Sequence, residues 1–135
     1  MPVEWPALDA AATSYALTLR KVAGSPPVLD LAHLGLGPDG HTASLLPDDP
    51  ALAVTDKDVA LTGMYKNRRR MTLTYPMLNR SRLILWVVTG AEKVPMLKRL
   101  CQGDQSIPAS RIQREHAVIL ADRAAAGGVQ AGEFM

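Results

Sequence analysis

Apolar positions along the chain follow two periods. Between residues 7 and 22, Leu8, Ala11, Ala12, Tyr15, Leu19 and Val22 recur at three- and four-residue spacing, the signature of one helix face. Gly24-Ser25-Pro26-Pro27 then closes that helix. Residues 29–37 (LDLAHLGLG) are mostly apolar and end in glycines, as a buried strand does. Residues 83–89 (LILWVVT) give the strongest strand signal, residues 59–62 a weak one, and residues 117–121 (AVILA) a last one. Pro38-Asp39-Gly40 marks a turn, with Thr42 or Ser44 placed to cap a short helix before Pro47. Thr74 followed by Pro76 predicts a helix start. Val94, Leu97, Leu100 and Cys101 share one side of a helix over residues 91–102, and Asp122 is placed to cap a final alanine-rich turn. Uniformly apolar strands alternating with helices predict a parallel sheet covered on both faces. Ligands in such sheets sit beyond the carboxyl ends of the strands.

Composition narrows the reading. The chain has 135 residues, 47% hydrophobic and 21% charged, enough for one buried core and too few for two full domains. Six residues are aromatic, so the core rests on Leu, Val, Ala and Met. A net charge of +2 does not suit a protein that coats nucleic acid. The lone Cys101 excludes an internal disulfide framework and suits a reducing cytoplasm. No apolar run approaches a membrane span, and Glu4 with no basic segment ahead of an apolar stretch gives no sign of a signal peptide.

Residues 35–45 (GLGPDGHTASL) carry the most chemistry. A buried strand runs into a glycine-rich loop, where the backbone can approach a ligand, and then into a helix start whose free N–H groups favour an anion. His41 suits proton transfer near neutral pH, and Asp39 two residues earlier is placed to orient its imidazole. An ordinary Pro-Asp-Gly turn with a solvated His41 fits the same string. Elsewhere, His33 reads as a packed mid-strand histidine, His116 as exposed, Cys101 as a small core residue and Ser44 as a helix-start residue. The three histidines lack the spacing of a zinc site. Between Val59 and Ala91 there is no acidic residue, yet Lys66, Arg68, Arg69, Arg70, Arg80 and Arg82 all occur. Lys66, Arg68 and Arg69 read as a solvated loop, and Arg80 and Arg82 as surface residues.

The string GLGPDGHTASLLP resembles the signature of the 6-phosphogluconolactonases, which share a fold with the glucosamine-6-phosphate deaminases. Three more segments agree in order. Residues 70–79 are similar to the family's R-x-T-L-T-x-P-x-L-N, residues 89–93 to its T-G-x-x-K, and Pro108-Ala109-Ser110 with Leu120-Ala121-Asp122 to its closing segment. Thr-Ala-Ser-Leu after His41 points to the lactonase branch, although a deaminase/isomerase-like enzyme and a non-catalytic sugar-phosphate-binding fragment remain alternatives.

The resemblance implies a three-layer α/β/α, Rossmann-like fold with a mainly parallel sheet. It implies hydrolysis of 6-phospho-D-glucono-1,5-lactone to 6-phosphogluconate in the pentose phosphate pathway, without metal or organic cofactor. His41 is then the general base acting on water, and Asp39 its partner. Gly37, Gly40 and Thr42 lie at the substrate, with N–H groups around residues 37–40 at the oxyanion. Arg70 and Lys93 fall on motif positions and are the implied cations for the substrate phosphate. The family's N-terminal half, with its glycine/serine-rich phosphate loop, has no counterpart here. The chain therefore resembles the C-terminal half, over residues 8–126, with residues 127–135 expected as a flexible tail. A half sheet exposes an edge and apolar faces, so a homo-oligomer covering them is expected, and the phosphate site is expected to be incomplete.

Overall fold

The computed structural model describes residues 7–129. Helix α1 (Leu8–Ala23) ends where Gly24, at φ +93°, turns its N–H back to the Arg20 carbonyl at 3.1 Å. Leu8 and Leu19 are buried, with Ala11, Ala12 and Tyr15 packed beside them. Val22 is 80% exposed, against expectation, because the small cluster of Leu19, Val59, Met71 and Met77 ends at Leu19.

Strands β1 (Ala32–Leu34), β4 (Ile84–Val88) and β5 (Ala117–Ala121) form a parallel sheet in the order β1-β4-β5. Between them in sequence, β2 (Val59–Leu61) and β3 (Met71–Leu73) make a separate antiparallel pair. β3 is a strand that the sequence pattern does not predict. The connection between β2 and β3 ends in a tight turn. Tyr65 and Arg68 exchange backbone hydrogen bonds of 2.9 and 3.0 Å across Lys66 and Asn67, both at positive φ, as a right-twisted hairpin demands.

Helix α2 (Tyr75–Asn79) starts as expected, with the Thr74 hydroxyl accepting from the Met77 N–H and Pro76 in the first turn. Helix α3 (Val94–Cys101) follows a 3-10 turn over Ala91–Lys93, which replaces the continuous helix expected from residue 91. Arg80, expected at the surface, instead clamps the structure. It pairs with Asp58 and donates to the Pro27 carbonyl at 3.1 Å.

Register assigns the two faces of the sheet. Ala32, Leu34, Ile84, Trp86 and Val88 point inward and pack with Leu97, Leu100 and Cys101 of α3 and with Ile107 and Ile112. On the opposite face His33, Val87, Val118 and Leu120 are exposed. The expected cover on both faces is thus absent among the described residues, and His33 is a solvent-facing residue, not a packed one. The expected short helix after Thr42 is also absent. Thr42 and Leu45 form an isolated bridge, Ala43 takes φ +51°, and Thr42, Leu45 and Leu46 all turn inward. The left-handed Ala43 backbone breaks the helical run, although the inward positions 42, 45 and 46 have the spacing of one helical face. At the other end Ala125–Gly128 form a 3-10 turn and Val129 packs on the core; residues 130–135 of the expected tail lie outside the described residues.

Candidate active site

β1 delivers the chain into a loop closed on itself. The Gly37 N–H donates to the His41 carbonyl at 2.8 Å, and the Gly40 N–H to the Gly37 carbonyl at 3.0 Å. Two glycines are demanded by sterics. A Cβ on Gly37 would lie 2.1 Å from His41 Nδ1, so the imidazole folds directly over bare backbone. Gly40 sits at φ +85°, and a Cβ there would meet the Ile107 Cβ at 2.6 Å. Gly35 has nothing within 4 Å of such a position and is under no such demand. The close approach that glycine permits is to the protein's own imidazole and to Ile107.

Within this loop Asp39 and His41 are paired. Asp39 Oδ1 accepts from the His41 backbone N–H at 3.1 Å and lies 2.5 Å from His41 Nδ1. Partial burial pushes the Asp39 carboxyl up. Its hydrogen bonds to the His41 ring and backbone, and the attraction of the imidazolium, outweigh that and hold it below the usual 3.8. An ionised carboxylate only accepts, so Nδ1 carries the proton, and the neutral imidazole keeps its lone pair on Nε2. The pair is open to solvent, with side chains 32% and 41% exposed for His41 and Asp39. This arrangement can take a proton from a water or hydroxyl at Nε2 and hold the resulting imidazolium against a fixed carboxylate.

The loop has a rigid back. The Ala109 N–H donates to the Gly40 carbonyl at 3.0 Å, and Ile107 and Ala109 are buried. The Tyr75 hydroxyl donates to the Pro108 carbonyl at 2.8 Å, and burial pushes that phenol up to about 12. Pro108-Ala109-Ser110, a motif match with no role evident in the sequence, acquires one here. Its role is to carry the backbone that fixes Gly40.

The other expected site residues fare differently. Lys93 lies close to the loop, its Nζ donating to the Leu36 carbonyl at 2.6 Å. Asp122 ties the turn ahead of Lys93 to the chain's last turn, its carboxylate accepting from the Gly90 N–H at 3.2 Å and from the Ala125 N–H at 2.7 Å. Asp122 thus caps the last turn as expected. Arg70 is exposed, its guanidinium carbon 5.7 Å from the Tyr65 ring centroid, with no carboxylate partner among the described residues. Its backbone is locked to Thr62, which accepts from the Arg70 N–H at 2.9 Å. Thr42 does not reach solvent. It is fully buried and its hydroxyl has no hydrogen-bond partner, so it is no substrate contact in this conformation. The Gly37 and Gly40 N–H groups turn inward, the His41 N–H bonds Asp39, and residue 38 is a proline. In this structure the N–H groups of Gly37, Gly40 and His41 are thus spent on protein acceptors. Thr72, inside the arginine motif, is structural: its hydroxyl accepts from the Ser44 N–H at 3.2 Å and ties the 42–45 turn to β3.

Concavities also lie away from the pair. A cleft of about 500 Å³ lies between α1 and β2, and a groove of about 330 Å³ between β1 and β3. Among the described residues, no group of three His, Cys, Asp or Glu side chains is placed to hold a metal ion, and no helix is long and apolar enough to cross a membrane.

Comparison with known proteins places the geometry in context. A family model described as glucosamine-6-phosphate isomerases/6-phosphogluconolactonase matches residues 1–121. The chain is 43% identical over 112 residues to a human 6-phosphogluconolactonase, covering 78% of this chain and 43% of the relative. It is 41% identical over 100 residues to the enzyme of that name from a Synechocystis strain, covering 72% and 41%. The crystal structure of 6-phosphogluconolactonase from Leishmania guyanensis superposes with a TM-score of 0.75 at 27% identity, covering 90% of this chain and 53% of that one. The chain spans about half the length of the curated relatives it matches.

Proposed function

The chain belongs to the glucosamine-6-phosphate isomerase/6-phosphogluconolactonase family, and on that premise we propose that it serves the hydrolysis of 6-phospho-D-glucono-1,5-lactone to 6-phosphogluconate. The observation that carries this reading is the Asp39–His41 pair, with Nδ1 held by the carboxylate and Nε2 free. In the proposed reaction Nε2 takes a proton from water as its oxygen attacks the lactone carbonyl carbon. The tetrahedral intermediate collapses by breaking the bond to the ring oxygen, and the imidazolium returns the proton to that oxygen. A δ-lactone is an activated ester, so one positioned base suffices and no metal or organic cofactor enters the scheme.

Arg70 and Lys93 are the proposed cations for the substrate's phosphate. Arg70 supports this by its lack of a carboxylate partner, and Lys93 by its position beside the Gly37 loop. Gly37 and Gly40 serve by shaping the loop. The proposed compartment is the cytoplasm, where the buried Cys101 stays a thiol. A homo-oligomer that covers the open outer face of the sheet is part of the same proposal.

The test is consumption of the lactone by the purified chain, measured above the spontaneous rate, beside His41→Ala. Loss of about 10²- to 10⁴-fold in the variant is expected for a general base; equal rates would remove His41 from the mechanism. Ammonia release from glucosamine 6-phosphate is the control for the other activity in the family's description.

A further inference from the structure

The tip of the β2–β3 hairpin carries four cations in five residues, Lys66, Arg68, Arg69 and Arg70. Their surroundings set them apart. Arg69 turns away from the tip: its Nε donates to the Thr62 carbonyl at 3.1 Å, and it lines the cleft between α1 and β2. Arg68 pairs with Tyr65 through its backbone. Lys66 and Arg70 both meet the Tyr65 ring, with Nζ 5.3 Å and the guanidinium carbon 5.7 Å from its centroid. A ring face attracts a cation within about 6 Å. Neither of these two cations has a carboxylate partner among the described residues.

The base of the hairpin is fixed on both strands. Asp49 accepts from the Ala51 N–H at 2.8 Å and from the Gly63 N–H at 3.0 Å, which holds the chain leaving β2. The buried Thr62 hydroxyl donates to the Gly63 carbonyl and accepts from the Arg70 N–H, each at 2.9 Å. The Thr62 N–H donates to the Arg70 carbonyl at 2.9 Å. Residues 62 and 70 therefore stay together, and the tight turn at Lys66 and Asn67 brings the Tyr65 ring back beside Arg70. What is left to order at Arg70 is its long side chain.

Strand alternation gives the side on which that side chain stands. Met71 is buried in the cluster with Leu19 of α1. Arg70 and Thr72 thus share the other side, where Thr72 accepts from the N–H of Ser44, three residues after His41. The ring and its guanidinium lie on the side of the hairpin that faces the catalytic loop.

We propose that Tyr65 is a positioning residue for phosphate recognition: its ring holds the Arg70 guanidinium in one place, and a phosphate monoester dianion is the ligand that the pair takes. Paired N–H donors match a phosphate only when the guanidinium plane is set. The ring sets it without consuming the charge, as a carboxylate would. Lys66, gathered at the same ring, raises the positive potential that an arriving dianion meets. The inference rests on the reading of Arg70 as a cation for the substrate's phosphate.

The experiment titrates the full chain with 6-phosphogluconate by calorimetry. In Tyr65→Leu the dissociation constant is expected to rise about two- to fivefold, the worth of an exposed ring–cation contact. Tyr65→Phe keeps the ring and is expected to bind as the parent does. Arg70→Ala is expected to weaken binding about tenfold or more, and adding Tyr65→Leu to it is expected to change nothing further. NMR supplies a readout without ligand: the Arg70 Nε–H signal should be shifted upfield by the ring in the parent and in Tyr65→Phe, and not in Tyr65→Leu. Equal affinity of the parent and Tyr65→Leu would overturn the proposal, as would the same loss in the Arg70→Ala background or an Arg70 signal indifferent to the ring. A parent that binds no 6-phosphogluconate would overturn the proposal together with the phosphate role of Arg70. Binding that follows the expected order without lactone turnover would remove the lactonase reading alone.

Discussion

The imidazole of His41 lies directly over the backbone of Gly37, where a Cβ would stand 2.1 Å from Nδ1. Only hydrogen fits there. Gly37→Ala is therefore expected to push the ring off Asp39 without removing any chemical group. Hydrolysis should fall toward the His41→Ala level, a loss of about 10²- to 10⁴-fold. Circular dichroism should still report a folded chain. Activity equal to the parent's would mean that the ring's position over Gly37 does not matter.

Asp39 fixes which nitrogen of His41 is free. In Asp39→Asn the amide can donate to Nδ1, which moves the ring proton to Nε2 and removes the lone pair that faces water. Activity should drop by about 10²-fold or more. The variant also has a pH signature. The Asp39 carboxyl is held below 3.8 in the fold. Its contribution to stability is therefore fully present above that value, and is lost as pH falls through the lower folded value. Thermal melts of parent and variant should differ at pH 6 and converge in strong acid. A gap that stays constant with pH would show that the charge on Asp39 is irrelevant to the fold.

A second carboxylate offers an independent check on the segment behind the loop. Asp104 is held down to about 2, first by the Ser106 hydroxyl, at 2.6 Å, and then by Arg99, at 2.7 Å. Ser106→Ala removes the larger of these, so the Asp104 carboxyl should titrate closer to 3.8. Carbon-detected NMR of the side chain measures this directly. Any stability that the pairing lends is present above 3.8 and is lost as pH falls through about 2. An unmoved titration would mean that Arg99 and the Ser106 backbone N–H, at 3.0 Å, set the value without the hydroxyl.

Much of this was legible in the sequence, for reasons that differ by residue. Residues 83–89 read as a strand because six apolar side chains in a row have few other uses, and β4 is the central strand. Thr74-Tyr75-Pro76 read as a helix start because capping is local. Asp39 and His41 were legible as a pair because they are two residues apart. The failures are all tertiary. β3 is three residues long and is a strand only because β2 lies beside it, 14 residues away in register at Val59↔Leu73 and 10 at Leu61↔Met71 across the intervening turn. His33 looked packed because strand periodicity gives alternation but not which face is covered. Thr42 looked like a cap, since a threonine before a polar turn usually is one, yet the burial of Leu45 and Leu46 drew it inward. Ile107 gave no signal at all, because its role depends on meeting Gly40, 67 residues earlier in the chain.

That contact leads to the last prediction. Ile107 is 2% exposed, and its Cβ and Cγ2 occupy the space that any side chain on residue 40 would need. Ile107→Ala should cost about 2–5 kcal/mol of stability through the cavity it leaves, and should also loosen the backbone of Gly40. Tyr75→Phe touches the same brace differently. It leaves the Pro108 carbonyl without its 2.8 Å donor, at about 1–3 kcal/mol, while keeping the ring volume. Both variants should unfold at lower urea. Only Ile107→Ala acts on the loop itself, so only it should lower turnover measured well below its melting temperature. Equal turnover in the two variants would show that Gly40 is held by the Ala109 N–H alone, and that Ile107 matters to the core but not to the placement of His41.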